Sequence, residues 1–304
     1  MTILKILVSV AGCFCASIVA AASCGAVVGV QNISSAPPNV LFIGEWHGTV
    51  EVPQALSEIV CHLAASGRKV HIALEFPTDW SLALSKFLAS QQSEIQPRIE
   101  LARLWNTLRV ASPDGRTSVA MWKMLESLRV IAAANVGKLH VSAFDSRQWE
   151  ARFPGDFSVG DLGMAASLTR DIETTSSEIT VVLTGELHAR KLPNTVSFKP
   201  RPMAYVMTIA RPSWNVVTLK AAASGGDFWA CMKKCAPQPH GMTRDAPRVD
   251  APEIRVNSDL NQEGFSGALF VGRFSSSPPF DPASNVAFPE PTDPPWMQNP
   301  PLRK

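Results

Sequence analysis

The sequence predicts an α/β fold: a mostly parallel central sheet with helices on both faces, in a single domain. Three observations lead there. Short apolar runs recur along the chain and alternate with segments whose apolar residues follow helical spacing. The first of them, Asn39-Val-Leu-Phe-Ile-Gly44, is apolar without a polar alternation, as a strand covered on both faces is. No internal repeat at solenoid spacing competes with this reading.

The elements follow in order. The run ending at Gly44 is the first strand. Residues 52–66 carry Ala55, Leu56, Ile59, Val60, Leu63 and Ala64 on one helical face, with Pro53 suited to the first turn and Gly67 to the stop. Val70-His-Ile-Ala-Leu74 is the second strand. Helices are predicted over 78–91 and 97–108, then a loop over 109–116 containing Pro113-Asp114-Gly115. An amphipathic helix over 117–135 ends near Gly137. Residues 139–144 form the third strand, 160–175 a helix and 179–184 the fourth strand. A short helix over 203–210 and later strands over 214–220 and 268–274 complete the domain, which is expected to span 38–274.

Both ends read differently. Residues 1–23 contain one charge, Lys5, then an apolar run from Ile6 to Ala22 closed by small residues, the pattern of a secretory signal peptide. The run is about 17 residues, near the lower limit for a membrane-spanning helix. Cys24 follows Ala-Ala-Ser, so lipidation at Cys24 is an alternative to simple cleavage and the one route to membrane attachment. Residues 275–304 hold nine of the 24 prolines and no period, which predicts a Pro-rich disordered tail. Cys231 and Cys235 flank Met-Lys-Lys, and in an oxidising compartment they are expected to pair. A zinc site there lacks a second Cys pair. Cys61, on the apolar face of helix 52–66, reads as a core thiol.

Composition narrows function. With 46% hydrophobic residues, 18% charged and a net charge of +2, the chain is too apolar to be disordered as a whole. It also lacks the basic excess of a nucleic-acid binder. Open α/β sheets bind ligands beyond the carboxyl ends of their strands. Those ends read Gly44-Glu45-Trp46-His47-Gly48-Thr49-Val50-Glu51, then Glu75-Phe76-Pro77, then Asp145-Ser146-Arg147, then Gly185-Glu186-Leu187-His188-Ala189-Arg190. Acidic and imidazole groups are delivered to one edge. Such a set can hold a divalent metal whose bound water becomes a nucleophile. It can equally work without metal, a carboxylate-held His taking a proton from water. Glu45, His47, Glu75 and His188 are the catalytic candidates and also the metal-ligand candidates. Trp46, Glu51, Asp145 and Arg190 are candidates for substrate binding, although Glu51 also suits a helix start. His62, His71 and His140 read as structural. His240 lies in a Pro-rich loop without a nameable partner.

The motifs Val40-Leu-Phe-Ile-Gly-Glu-Trp-His-Gly-Thr-Val-Glu51, Ala73-Leu-Glu-Phe-Pro77 and Val182-Leu-Thr-Gly-Glu-Leu-His-Ala189 resemble the superfamily uniting erythromycin-esterase-like hydrolases, ChaN-like haem-uptake lipoproteins and Tiki/TraB-type metalloproteases. Gly264-Phe-Ser-Gly-Ala-Leu-Phe-Val-Gly-Arg-Phe-Ser-Ser-Ser-Pro278 resembles its last strand. The resemblance runs in patches from Val40 to Pro278. It matches His47, Glu75 and His188 to the esterases' essential His, Glu and His, and Glu45 to their first motif carboxylate. One residue, Trp46, separates Glu45 from His47, as in the haem-uptake branch; Gly48-Thr49 with Glu51 is closer to the esterases. A haem-branch protein is expected to offer a Tyr ligand, and Tyr205 falls in no matching motif. The expectation is an exported, periplasmic or secreted hydrolase of esterase or amidase type acting on a small molecule or peptide, with a divalent metal as optional cofactor. The alternatives are a haem- or metal-binding envelope protein without turnover and a secreted effector.

Overall fold

The computed structural model describes residues 24–146, 157–193, 201–232, 234–243, 246–257 and 259–282. The expected signal peptide and the last part of the expected tail lie outside them. Seven of the described strands are β1 (Val40–Glu45), β2 (Val70–Pro77), β3 (Leu139–Asp145), β4 (Ile179–Gly185), β5 (Val216–Ala222), β8 (Glu253–Val256) and β9 (Gly267–Phe270). They form one sheet in the order β3-β2-β4-β1-β5-β9-β8. Every pairing is parallel except β8 with β9 at one edge. A separate antiparallel hairpin joins β6 (Gly226–Cys231) to β7 (Cys235–His240).

Both faces are covered, as an apolar parallel sheet requires. In β1, Leu41 and Ile43 join one buried cluster, which includes residues of α2 (Glu51–Ala65), α3 (Ser81–Ala89), α4 (Gln96–Ala111) and α5 (Val119–Ala134). Val40 and Phe42 join the other, with Met164 and Leu168 of α6 (Phe157–Thr174) and Met203 and Met207 of α7 (Met203–Ala210). The alternation follows from the two-residue period of a strand. Each such fully buried large apolar side chain contributes roughly 1.5–3 kcal/mol relative to exposure.

The core extends past both predicted boundaries. A first helix, α1 (Val30–Ser35), buries Val30 and Ile33 ahead of β1. Cys24 is disulfide-bonded to Cys61. This corrects two expectations: Cys61 is not a free core thiol, and the Cys24 sulfur that a lipid would modify is already bonded. At the other end, residues 275–282 lie on the fold rather than leaving it. Ser276 bridges Thr49 and Pro279 bridges Ser118. The Trp105 indole donates to the Phe280 carbonyl at 3.0 Å, and Arg109 pairs with Asp281 at 3.3 Å. Backbone pairing and a few anchors fix a segment that composition alone reads as unable to order. No helix among the described residues is long and apolar enough to cross a membrane.

His71 sits fully buried in β2, its ring nitrogens bonded to Thr180 Oγ1 at 3.3 Å and Ser142 Oγ at 2.8 Å. Burial, with His140 adding to it, pushes its pKa down to about 3. An unfolded chain takes up this proton near pH 6.5. The contribution of neutral His71 is therefore whole above about pH 6.5 and is lost as pH falls from there toward 3, where the unfolded state binds more protons. Urea denaturation at pH 7 and pH 4.5 is expected to show a loss of stability on the order of a few kcal/mol. His71→Gln, which keeps hydrogen-bonding capacity without titrating, is expected to lose measurably less.

Candidate functional site

Topology gathers the strand ends. β4 inserts between β2 and β1, so Glu45 lies in register with Gly185, and Leu74 with Leu183. Glu75 therefore comes level with Thr184. The β2–β3 register shifts between Leu74 and Pro77, and Asp145 arrives opposite Pro77. The result is a cavity of about 800 Å³ at the carboxyl edge of the sheet, lined by Glu45, Trp46, His47, Glu75, Asp145 and His188 among others.

Two imidazoles face one carboxylate. Glu75 is held by its Oε2, which accepts from Thr184 Oγ1 at 2.6 Å and from the Gly185 N–H at 2.7 Å. Its Oε1 lies 3.7 Å from His47 Nε2 and 3.9 Å from His188 Nε2. Each imidazole is gripped from behind. His47 Nδ1 meets Glu45 Oε1 at 3.0 Å, and His188 Nδ1 meets Asp161 Oδ1 at 2.7 Å. Asp161 is fully buried in the first half of α6, and the same oxygen accepts from the Met203 N–H at 2.8 Å. Gly48, at φ 80°, turns the chain after His47, and its carbonyl accepts from the Trp229 N–H at 2.9 Å, so the loop carrying His47 is tied to the hairpin.

Charge follows from this geometry. Burial alone would raise the Glu75 pKa, but His188, His47 and Arg116 outweigh it and hold the carboxyl well below its usual range. Burial alone would lower the His47 pKa; the Glu75 charge and the bond to Glu45 overcome it and push it up to about 10. Glu45 is raised by its burial, with His47 only partly offsetting that. The proton shared among these three groups thus rests on His47, making it an imidazolium at neutral pH.

A guanidinium completes the floor. Arg116 grips Asp114 with Nε and Nη2 at 2.9 and 2.7 Å. Its Nη1 lies 3.3 Å from Asp145 Oδ2 and 3.6 Å from Glu75 Oε1. Three carboxylates outweigh its desolvation and raise its pKa. Asp114 is lowered in turn, Arg116 outweighing the effect of burial.

The opposite wall is aromatic. Trp46 packs edge-on against Phe228 at 4.9 Å and His240 at 5.1 Å between ring centres. Its indole N–H donates to Glu186 Oε2 at 2.8 Å, and Arg190 donates to Glu186 Oε1 at 2.8 Å. The hairpin carrying Phe228 closes with the expected Cys231–Cys235 disulfide, and Cys231 Sγ lies 3.1 Å from the Pro113 carbonyl, beside the Asp114–Arg116 turn.

Of the sequence candidates, Glu45, Trp46, His47, Glu75, Asp145, His188 and Arg190 meet in this cavity. Glu51 does not: its carboxylate begins α2 and accepts from the Ser275 N–H at 2.9 Å, anchoring the C-terminal strap. Sequence reasoning missed Asp161, Arg116 and Asp114. Asp161 carried one usable signal, as the single charged residue in the first half of its helix. The pair Asp114 and Arg116 sits in a Pro-Asp-Gly turn, where such residues read as ordinary loop chemistry.

Of the four expected metal donors, His47 and His188 turn their Nε2 atoms toward Oε1 of Glu75. Glu45 points at Nδ1 of His47, on the far side of the ring from the atom that would bind metal. Among the described residues no group of three or more His, Cys, Asp or Glu has the arrangement of a metal site. The Arg116 guanidinium, 3.6 Å from the Glu75 oxygen that both imidazoles face, already supplies a fixed positive charge there.

No protein-family model and no curated protein sequence matches the chain. Solved structures do match in fold. A Bacillus cereus protein superposes over 83% of this chain and 94% of its own, at 11% identity and a TM-score of 0.57. A succinoglycan biosynthesis protein does so over 82% and 91%, at 12% identity and a TM-score of 0.58. A mutant erythromycin esterase in its open conformation covers 76% of both chains only loosely, at 15% identity and a TM-score of 0.39. This chain shares the α/β architecture of the first two proteins across more than four-fifths of its length.

Proposed function

We propose that the protein is an exported hydrolase of esterase or amidase type in which two carboxylate-held imidazoles divide the work. The observation that carries this reading is the pair Glu45–His47 and Asp161–His188, both presenting Nε2 to Glu75 at the cavity floor. His188 is the general base. Asp161 accepts from its Nδ1–H, which fixes the tautomer whose Nε2 lone pair takes a proton from water. The water oxygen attacks the carbonyl carbon. The oxyanion that forms is stabilised by the His47 imidazolium, a charge held in place before the reaction begins. Collapse expels the alcohol or amine, which takes back the proton held on His188. Glu75 touches neither step directly; it is a positioning residue that keeps His47 charged and both rings aimed.

Single substitutions His188→Ala and His47→Ala are each expected to lower kcat/KM on generic esters about 10²- to 10⁴-fold with folding retained. Asp161→Asn is expected to lower kcat more than it raises KM, because it disturbs the tautomer rather than the substrate contacts. A protein that hydrolyses neither esters nor amides but develops a strong Soret band on haem titration would replace this reading with a binding role.

The pH profile offers an independent check. The acid form of His47 is required, so activity is expected to fall as pH rises through about 10. In Glu75→Gln the carboxylate that holds this proton is gone, and the alkaline limb is expected to move down toward the ordinary histidine range near 6.5. Because Arg116 and His47 supply the positive charge, prolonged dialysis against a chelator is expected to leave kcat unchanged; loss of activity restored by added zinc would contradict that.

A further inference from the structure

A second chamber of about 890 Å³ adjoins the reaction cavity, and the hydrolytic scheme does not use it. The two share Trp46, Glu186, Arg190 and Phe228, so Trp46 is a partition between them. The floor of the outer chamber is a chain of ion pairs. Arg190 donates to Glu186 at 2.8 Å, Lys220 lies 3.7 Å from the same Glu186 oxygen, and Lys220 donates to both Glu263 oxygens at 2.8 Å. Lys220 is placed here by register: it pairs with Gly44, one residue before Glu45.

Positive and negative groups alternate along this floor, and their formal charges cancel. A charged ligand would meet one attractive neighbour and one repulsive neighbour at each position. An alkyl chain would strip water from four ionic heads and return no hydrogen bond, which is costly. A hydroxyl both donates and accepts, so it can bridge a carboxylate and an ammonium. The facing wall is of the other kind. Phe228 and the exposed Met232 and Met242 offer apolar surface. A ring with hydroxyls on its edge and C–H groups on its face matches both surfaces.

We propose that the outer chamber binds an uncharged, polyhydroxylated, sugar-like group of the substrate, whose scissile bond reaches the two imidazoles past Trp46. The reaction in this statement rests on the hydrolase reading; the binding rests on the chamber alone. The predicted substrate class is an ester of a sugar or cyclic polyol.

Two esters with the same acetyl group separate the alternatives: 6-O-acetylglucose and n-hexyl acetate. Acetate release by wild type is expected to give a kcat/KM at least about tenfold higher for the sugar ester, a difference worth about 1.4 kcal/mol. Met242→Trp, which fills the chamber, and Glu263→Gln, which breaks the alternation of charge, are expected to bring the ratio to within about twofold. Both positions lie on the surface side of the chamber, and circular dichroism verifies folding. Equal or faster cleavage of hexyl acetate by wild type, or a sugar preference that survives both substitutions, overturns the proposal while leaving the hydrolase reading intact. If neither ester is cleaved, calorimetric titration of methyl β-glucoside decides the chamber independently of the hydrolase reading. Saturable binding weakened by Met242→Trp supports it; no binding, or equal binding of n-hexanol, overturns it.

Discussion

The ionised carboxylate of Glu75 is the constraint on which the site is built. It is largely buried near the end of β2, where a lone charge would be strongly disfavoured. Three features make it tolerable: two hydrogen bonds from β4, two imidazoles and one guanidinium. Each of these is committed elsewhere as well. His47 is backed by Glu45, His188 by Asp161, and Arg116 by Asp114 and Asp145. The charges form one connected network, so removing a member leaves others buried without compensation. The insertion of β4 between β1 and β2 makes the network topologically achievable, because it puts Glu45, Gly185 and Glu75 on three adjacent strands.

Much of this arrangement is legible in the amino-acid sequence. The apolar runs place the starts of β1 to β4 to within a residue, since a strand buried on both faces leaves little freedom in composition. Glu45, His47, Glu75 and His188 are identifiable because strand ends in an open α/β sheet meet at one edge. The parts that escape depend on tertiary pairing. The β6–β7 hairpin contains Pro237 and Pro239, which argue against a strand in isolation; they are accepted because β7 pairs with β6 alone among the described strands. The strap over residues 275–282 is fixed by hydrogen bonds to Gly48, Thr117 and Glu51, none of which leaves a trace in its own composition.

Asp161 and Arg116 illustrate the same limit at the site. Neither belongs to a strand-end motif, and each acts through a residue distant in sequence: Asp161 on His188, and Arg116 on Glu75 and Asp145. Glu51 fails in the opposite direction. It sits in a motif beside His47, yet the turn at His47–Gly48 carries it away from the cavity, and at the start of α2 it serves the backbone instead.

The central claim is that Glu75 keeps His47 protonated. Nitrogen-detected NMR of the two labelled imidazoles, followed from pH 6 to 11, reads this directly. The account predicts both ring nitrogens of His47 protonated at pH 8, with titration near pH 10. A neutral His47 at pH 8 in the wild-type protein would contradict it.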